Sequence, residues 1–154
     1  DLGFLSVSSA GDIPIEPLYK DPLLCVVPKG MKRRKEGPCM DLDELKDREF
    51  VTQREGTDAD IQNFLKENHL NVKSNYHVVD DLSTIAMVAN DFGICLMPEM
   101  VMNDIPYEVD CYPLAEDAYR IIGIATLNPG NMAPAIGTFY QHVLDTYQQE
   151  EYRK

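Results

Sequence analysis

Between Glu49 and Met97 short apolar runs alternate with segments of helical periodicity, and a few polar residues join each to the next. "EFVTQ" (49–53) has the composition of a strand, and "REGTDADIQNFLKENHL" follows it. There Thr57 and Asp60 have the spacing of a capped helix start, and Ile61, Phe64 and Leu65 fall on one face. "SNYHVV" (74–79) predicts a second strand. Asp80 and Asp81 then cap a helix carrying Leu82, Ile85, Ala86, Val88 and Ala89, and "GICLM" (93–97) predicts a third strand. Strands alternating with helices in this way predict a βαβαβ unit with a parallel sheet, its central strand apolar on both faces because helices cover both.

The tightest corner lies in "VANDFGICLMPEM" (88–100), where a helix must stop and feed a strand almost at once. Such helix ends use a residue in the left-handed region, which Gly, Asn and Asp tolerate best. Asn90 or Asp91 is therefore expected at positive φ. Pro98 should end the strand and open a short helix through Met102.

Outside this core, "LGFLSV" (2–7) and "DPLLCVVPKG" (21–30) read as buried strands, and "DLDEL" (41–45) as a helical turn capped by Asp41. "YEVDCYPL" (107–114) and "YRIIGIAT" (119–126) are further strands. A last helix places Ile136, Phe139, Tyr140, Val143, Leu144 and Tyr147 at helical spacing. The 154 residues suffice for one domain or two small lobes. No apolar run reaches the length of a membrane span, and no leader-like segment opens the chain, so a cytoplasmic protein is expected. The opening "DLGFLSV" already lies inside a strand-like run, as in a piece of something longer.

Net charge is −12, from 14 basic and 26 acidic residues. A nucleic-acid interface needs a basic face, which this composition does not supply. The basic cluster "KGMKRRKEG" (29–37) reads as a solvated loop after a strand. Four cysteines (Cys25, Cys39, Cys95, Cys111) are scattered, with no CxxC and no histidine at ligand spacing. Reduced thiols, no metal and no cofactor are expected, with Cys25 and Cys95 acting as small core hydrophobes.

Taken in order, "DLGF…PLYKDPLLCVVPKG…DLDEL…FV…EGTDADIQNFL…DDLSTIAMVANDFGICLMPE" resembles the effector-binding domain of LysR-type transcriptional regulators over nearly the whole chain. Val88–Pro98 matches that family's "lVa.GlGialLP" motif, with Asp91 where Gly is usual. The resemblance implies an α/β, bilobal type 2 periplasmic-binding-protein-like fold with Rossmann-like lobes. Residues 1–36 and 120–154 would be the remnant of an incomplete lobe I, and 37–119 would be lobe II. The hinge would lie near 30–38 and 115–120. DNA would be contacted only through an N-terminal winged helix-turn-helix absent from this chain, and the full protein would be a homo-oligomer, dimer or tetramer.

In such a fold a small effector binds between the lobes, at helix N-termini whose free N–H groups and dipole suit polar or anionic groups. One candidate set is Gln53, Arg54, Gly56 and Thr57; the other is Asp81, Ser83 and Thr84, beside Leu82. Thr57 serves equally as a plain N-cap, and Ser83 and Thr84 as satisfiers of the first helical turn. Arg54 suits a carboxylate, or pairs with Glu55 or Asp58. On the lobe I side Ser6, Ser8 and Ser9 either line the cleft or form a polar turn. His69, His77 and His142 are isolated.

The function expected is sensing of a small-molecule effector, possibly a carboxylate-bearing one, by a transcriptional regulator through a population shift between open and closed lobes. The alternative is a solute-binding receptor of the same architecture. An enzyme finds no support: no Ser-His-Asp spacing, phosphate loop or metal cluster is present.

Overall fold

The computed structural model describes residues 2–53 and 59–151, with 148–151 as backbone. The chain forms two compact units, Asp1–Asp21 with Arg120–Lys154 and Pro22–Tyr119. Among the described residues seven strands and four helices run in the order β1 (Leu2–Ser6), β2 (Ile15–Pro28), α1 (Leu42–Leu45), β3 (Glu49–Gln53), α2 (Ala59–Glu67), β4 (Lys73–Val78), α3 (Asp81–Ala89), β5 (Cys95–Pro98), β6 (Val109–Pro113), β7 (Tyr119–Thr126) and α4 (Pro134–Glu151). Short 3-10 turns occupy Val7–Ser9 and Glu99–Met102.

Within Pro22–Tyr119, β3 and β4 pair in parallel from Glu49↔Lys73 to Gln53↔Val78. A parallel bridge, Phe50↔Ile94, joins β3 to the start of β5. The expected parallel unit is thus present, but the sheet continues as a mixed one. β5 runs antiparallel to β2, from Leu23↔Pro98 to Val26↔Cys95. The other edge of β2 takes β6, antiparallel from Leu24↔Pro113 to Pro28↔Val109.

Side-chain alternation sorts these strands onto two faces. Leu23, Cys25 and Val27 join Phe50 and Leu96 against Ile61, Phe64 and Leu65 of α2. Val26, Val51, Cys95 and Met97 face Ile85 and Val88 of α3. Successive strand residues point to opposite faces, so a strand covered on both sides must be apolar throughout. That is why "LLCVV" and "ICLM" read as unbroken apolar runs.

The corner after α3 is a Schellman motif. The Asp91 N–H donates to the Val88 carbonyl (3.0 Å) and the Phe92 N–H to the Met87 carbonyl (3.2 Å). Asp91 takes the left-handed position at φ 64°, while Asn90 stays at −104°. Gly93, two residues on, has φ 147°, and a Cβ there would lie 2.5 Å from the Glu49 carbonyl oxygen. Only glycine lets β5 approach β3 closely enough for the Ile94 N–H to reach that oxygen at 2.9 Å.

Two local expectations need correction. The stretch Lys29–Gly37 is a loop and mostly exposed, as expected, but Arg33 turns inward to Glu44, which is 2% exposed. Arg33, only 9% exposed in its side chain, donates to Glu44 Oε1 (3.0 Å), to the Gly37 carbonyl (2.6 Å) and to the Cys39 carbonyl. Its guanidinium carbon lies 4.5 Å from the Tyr112 ring centroid. Glu44 Oε2 accepts the Arg34 N–H (3.1 Å) and the Lys35 N–H (3.5 Å). Burial alone would raise the Glu44 carboxyl, but Arg33 and these two N–H groups outweigh it and hold it below the usual range. Asp41 sits at the N-cap of α1 yet makes no side-chain cap; its carboxylate binds the Lys35 ammonium instead.

All four cysteines are free thiols. Cys25 and Cys95 are buried as expected, and burial pushes the Cys25 thiol up to about 12.

In the other unit β1 pairs antiparallel with β7, from Leu2↔Thr126 to Ser6↔Ile122. The Thr126 N–H donates to the Pro14 carbonyl just ahead of β2 (3.1 Å). Asp21, fully buried, accepts the Nε–H of Arg120 at 2.8 Å. Val143 of α4 is buried, whereas Phe4, Val7, Ile13, Leu127 and Phe139 are exposed.

Candidate functional site

The site-bearing end of the Pro22–Tyr119 unit is where β3 stops and α3 starts. β3 ends at Gln53, and its Nε2 donates to the Asp81 carboxylate in the first turn of α3. Asp80 caps that helix. Its Oδ1 accepts the Ser83 N–H and its Oδ2 the Ser83 hydroxyl, each at 2.8 Å. The Asp80 carbonyl takes the Thr84 N–H (3.1 Å) and the Thr84 hydroxyl (2.9 Å). The hydrogen bonds from Ser83 hold the Asp80 carboxyl below its usual range.

Gln53, Asp81, Ser83 and Thr84 are therefore brought together, but not as free donors. Asp80 already occupies the Ser83 N–H, one of the helix-start donors expected to meet a polar or anionic group of an effector. A helix start that carries its own carboxylate has part of its dipole compensated. What this end offers outward is acceptor chemistry: the carboxylates of Asp80 and Asp81. Ser83 is exposed, whereas Thr84 is 1% exposed and helps line a small recess with Thr52, Gln53, Ile61 and Gln62.

Arg54, Gly56 and Thr57, with the expected Thr57 cap, lie outside the described residues. Ser6, Ser8 and Ser9 belong to the other unit. Ser6 closes β1, its hydroxyl 3.1 Å from that of Ser8, and Ser8 and Ser9 are exposed in the 3-10 turn.

Thr52 escaped the sequence reading. Its hydroxyl lies 2.9 Å from that of Ser74 and 3.0 Å from Nδ1 of His77, so it ties the end of β3 to β4. The signal was the β3–β4 register, which shifts between Phe50 and Val51 and which no local pattern announces. Among the described residues no group of histidine, cysteine and acidic side chains could hold a metal ion.

A mixed α/β sheet whose strand ends meet helix N-termini, in a chain split into two units of which one is discontinuous, defines the ligand-binding class with the type 2 periplasmic-binding-protein-like fold. Within that class the chain belongs to the LysR substrate binding domain family, whose sequence profile matches residues 1–148.

Solved structures agree. The effector binding domain of QuiR in complex with shikimate superposes with a TM-score of 0.81 at 25% identity, over 97% of this chain and 72% of that one. The regulatory domain of CcmR from Synechocystis PCC6803, in complex with 2-PG, gives a TM-score of 0.79 at 17% identity, over 96% and 73%. Full-length BenM gives 0.77 at 22% identity over 98% of this chain, which spans 52% of that protein. No curated protein matches the chain in sequence.

Proposed function

We propose that this chain is the effector-sensing domain of a LysR-type DNA-binding transcriptional regulator, with no catalysis of its own. The family match over residues 1–148 carries the reading. DNA contact is assigned to an N-terminal winged helix-turn-helix outside this chain, the working state to a homo-oligomer, and the location to the cytoplasm. Among the described residues no helix is long and apolar enough to cross a membrane.

Lobe II is assigned to 37–119, and lobe I to 1–36 with 120–154. The grouping of everything after Tyr119 with the N-terminal segment supports the second of these bounds, whereas the first compact division falls earlier than 36, between Asp21 and Pro22.

The ligand is a small polar molecule held by Gln53, Arg54, Gly56, Thr57, Asp81, Ser83 and Thr84. The carboxylates of Asp80 and Asp81 favour hydroxyl or ammonium donors on the α3 side, since two like charges repel. Arg54, the one cation among the candidates, is assigned any carboxylate of the effector. Ser6, Ser8 and Ser9 remain candidates on the other unit.

A thermal-shift screen of hydroxylated carboxylates, with shikimate among the probes, should find a ligand that raises Tm. Calorimetry should then show Arg54→Glu and Gln53→Ala each weakening it about tenfold or more, with unchanged circular dichroism. Equal affinities in wild type and both variants would exclude this patch.

A further inference from the structure

Thr52 and Thr84 line the recess beside the start of α3, with Gln53 and Gln62 at half-buried positions and Phe50 and Leu96 among its apolar walls. Its volume is about 20 Å³. One water-sized group needs roughly 10–15 Å³. That is room for one polar atom and not for the two oxygens of a carboxylate.

Each threonine has one hydroxyl proton, and both protons are used inside the fold. Thr84 gives its own to the Asp80 carbonyl at 2.9 Å. Thr52 has three acceptors in reach: Ser74 Oγ at 2.9 Å, His77 Nδ1 at 3.0 Å and the Tyr76 carbonyl at 3.3 Å. Whichever nitrogen of His77 carries a proton, one of the three takes the Thr52 hydrogen. Ser74 gives its proton to the Tyr76 carbonyl at 2.9 Å, which leaves Thr52 Oγ1 at least one lone pair. Neither threonine hydroxyl has a hydrogen to offer a ligand, and both can accept one.

The side-chain donors around the recess are amides. Gln53 directs one N–H to Asp81 and keeps a second, and Gln62 has two. A ligand carboxylate would meet oxygen lone pairs on both threonines, and an ammonium could take nothing from the amides. A hydroxyl answers both, because it donates and accepts.

We infer that this recess is a subsite for a single hydroxyl group of the effector, which gives its proton to Thr52 or Thr84. The inference rests on the effector-sensing reading and specifies one part of its ligand, an alcohol group held apart from any acid group. Replacing that hydroxyl by hydrogen would leave the threonine oxygens unpaired against apolar walls, which is how the site selects.

The test uses no effector, so its outcome is separate from that of the calorimetry above. Methanol, acetonitrile and formate are titrated at equal molarity into the full chain, and NMR follows the backbone amides of Thr52, Gln53 and Thr84. Methanol carries the hydroxyl, acetonitrile only accepts, and formate is the smallest carboxylate. Methanol should move these amides about threefold more than either of the others. Thr52→Val and Thr84→Val each remove an acceptor oxygen and should cut the methanol shifts by about half or more, with unchanged circular dichroism. The comparison of the three probes on the wild-type chain stands without the variants, should either fail to fold. Equal shifts with acetonitrile or formate would overturn the inference. So would the absence of a methanol shift, or full methanol shifts in both folded variants.

Discussion

Asp91 and Gly93 stand two residues apart in one corner and answer to different constraints. Asp91 is at φ 64° because the Schellman motif needs a left-handed residue there, and an aspartate accepts that at some cost. Asp91→Gly should stabilise the fold by up to about 1 kcal/mol through relieved strain, seen as a higher melting temperature. Gly93 is held by space as well as by φ, since a Cβ would meet the Glu49 carbonyl at 2.5 Å. Gly93→Ala should cost about 3 kcal/mol, seen as a lower urea midpoint. The positive φ was legible in "ANDFG", because the residue types that tolerate it are few. The close approach was not, because it depends on a strand more than 40 residues earlier in the chain.

At the scale of elements, the segment from Lys29 to Leu45 shows how one member of an exposed charge run can turn inward. Glu44 gathers Arg33 and the Arg34 and Lys35 N–H groups, and removing its charge leaves Arg33 buried beside a neutral amide. Glu44→Gln should destabilise the Pro22–Tyr119 unit by about 3 kcal/mol by urea unfolding. Glu44, Asp80 and Asp110 all titrate below their ordinary values; for Asp110 the main cause is the Gly30 N–H bound to its carboxylate. The unfolded chain therefore binds more protons than the folded one as pH falls. The stability these groups contribute is whole above about pH 4.5 and drains as pH drops through their lowered folded values. Urea midpoints should fall steeply below that pH, and less steeply in Glu44→Gln. Strand–helix alternation was legible from caps and apolar runs, as at Asp80 and Ile85. The antiparallel seat of β2 between β5 and β6 was not. Residues 21–30 read as a buried strand, and 23–28 are flanked on both sides and buried because the two apolar faces find α2 and α3. The candidate site was legible only as residue types near helix starts. That Asp80 engages Ser83 depends on side-chain geometry, which spacing alone leaves open.

For the whole molecule, charge settles one property. At −12 the chain should show no specific retention of DNA in a low-salt mobility-shift assay, and a specific shifted band would contradict the assignment of DNA contact to a separate domain. Surface character settles another. Phe4 is exposed on β1, which among the described strands pairs with β7 alone, and Val7, Ile13, Leu127 and Phe139 add apolar surface to the same unit. Light scattering after size exclusion should show concentration-dependent association, and Phe4→Lys should shift it toward monomer by blunting the strand. The discontinuity of that unit also sets an order in time. Leu2 pairs with Thr126, so β1 must wait for most of the chain to be synthesised, whereas Pro22–Tyr119 is contiguous and has all its partners once Tyr119 is clear of the ribosome. Closing so long a loop is slow, and the chain should ripen from its middle outward, with its first residues among the last to settle.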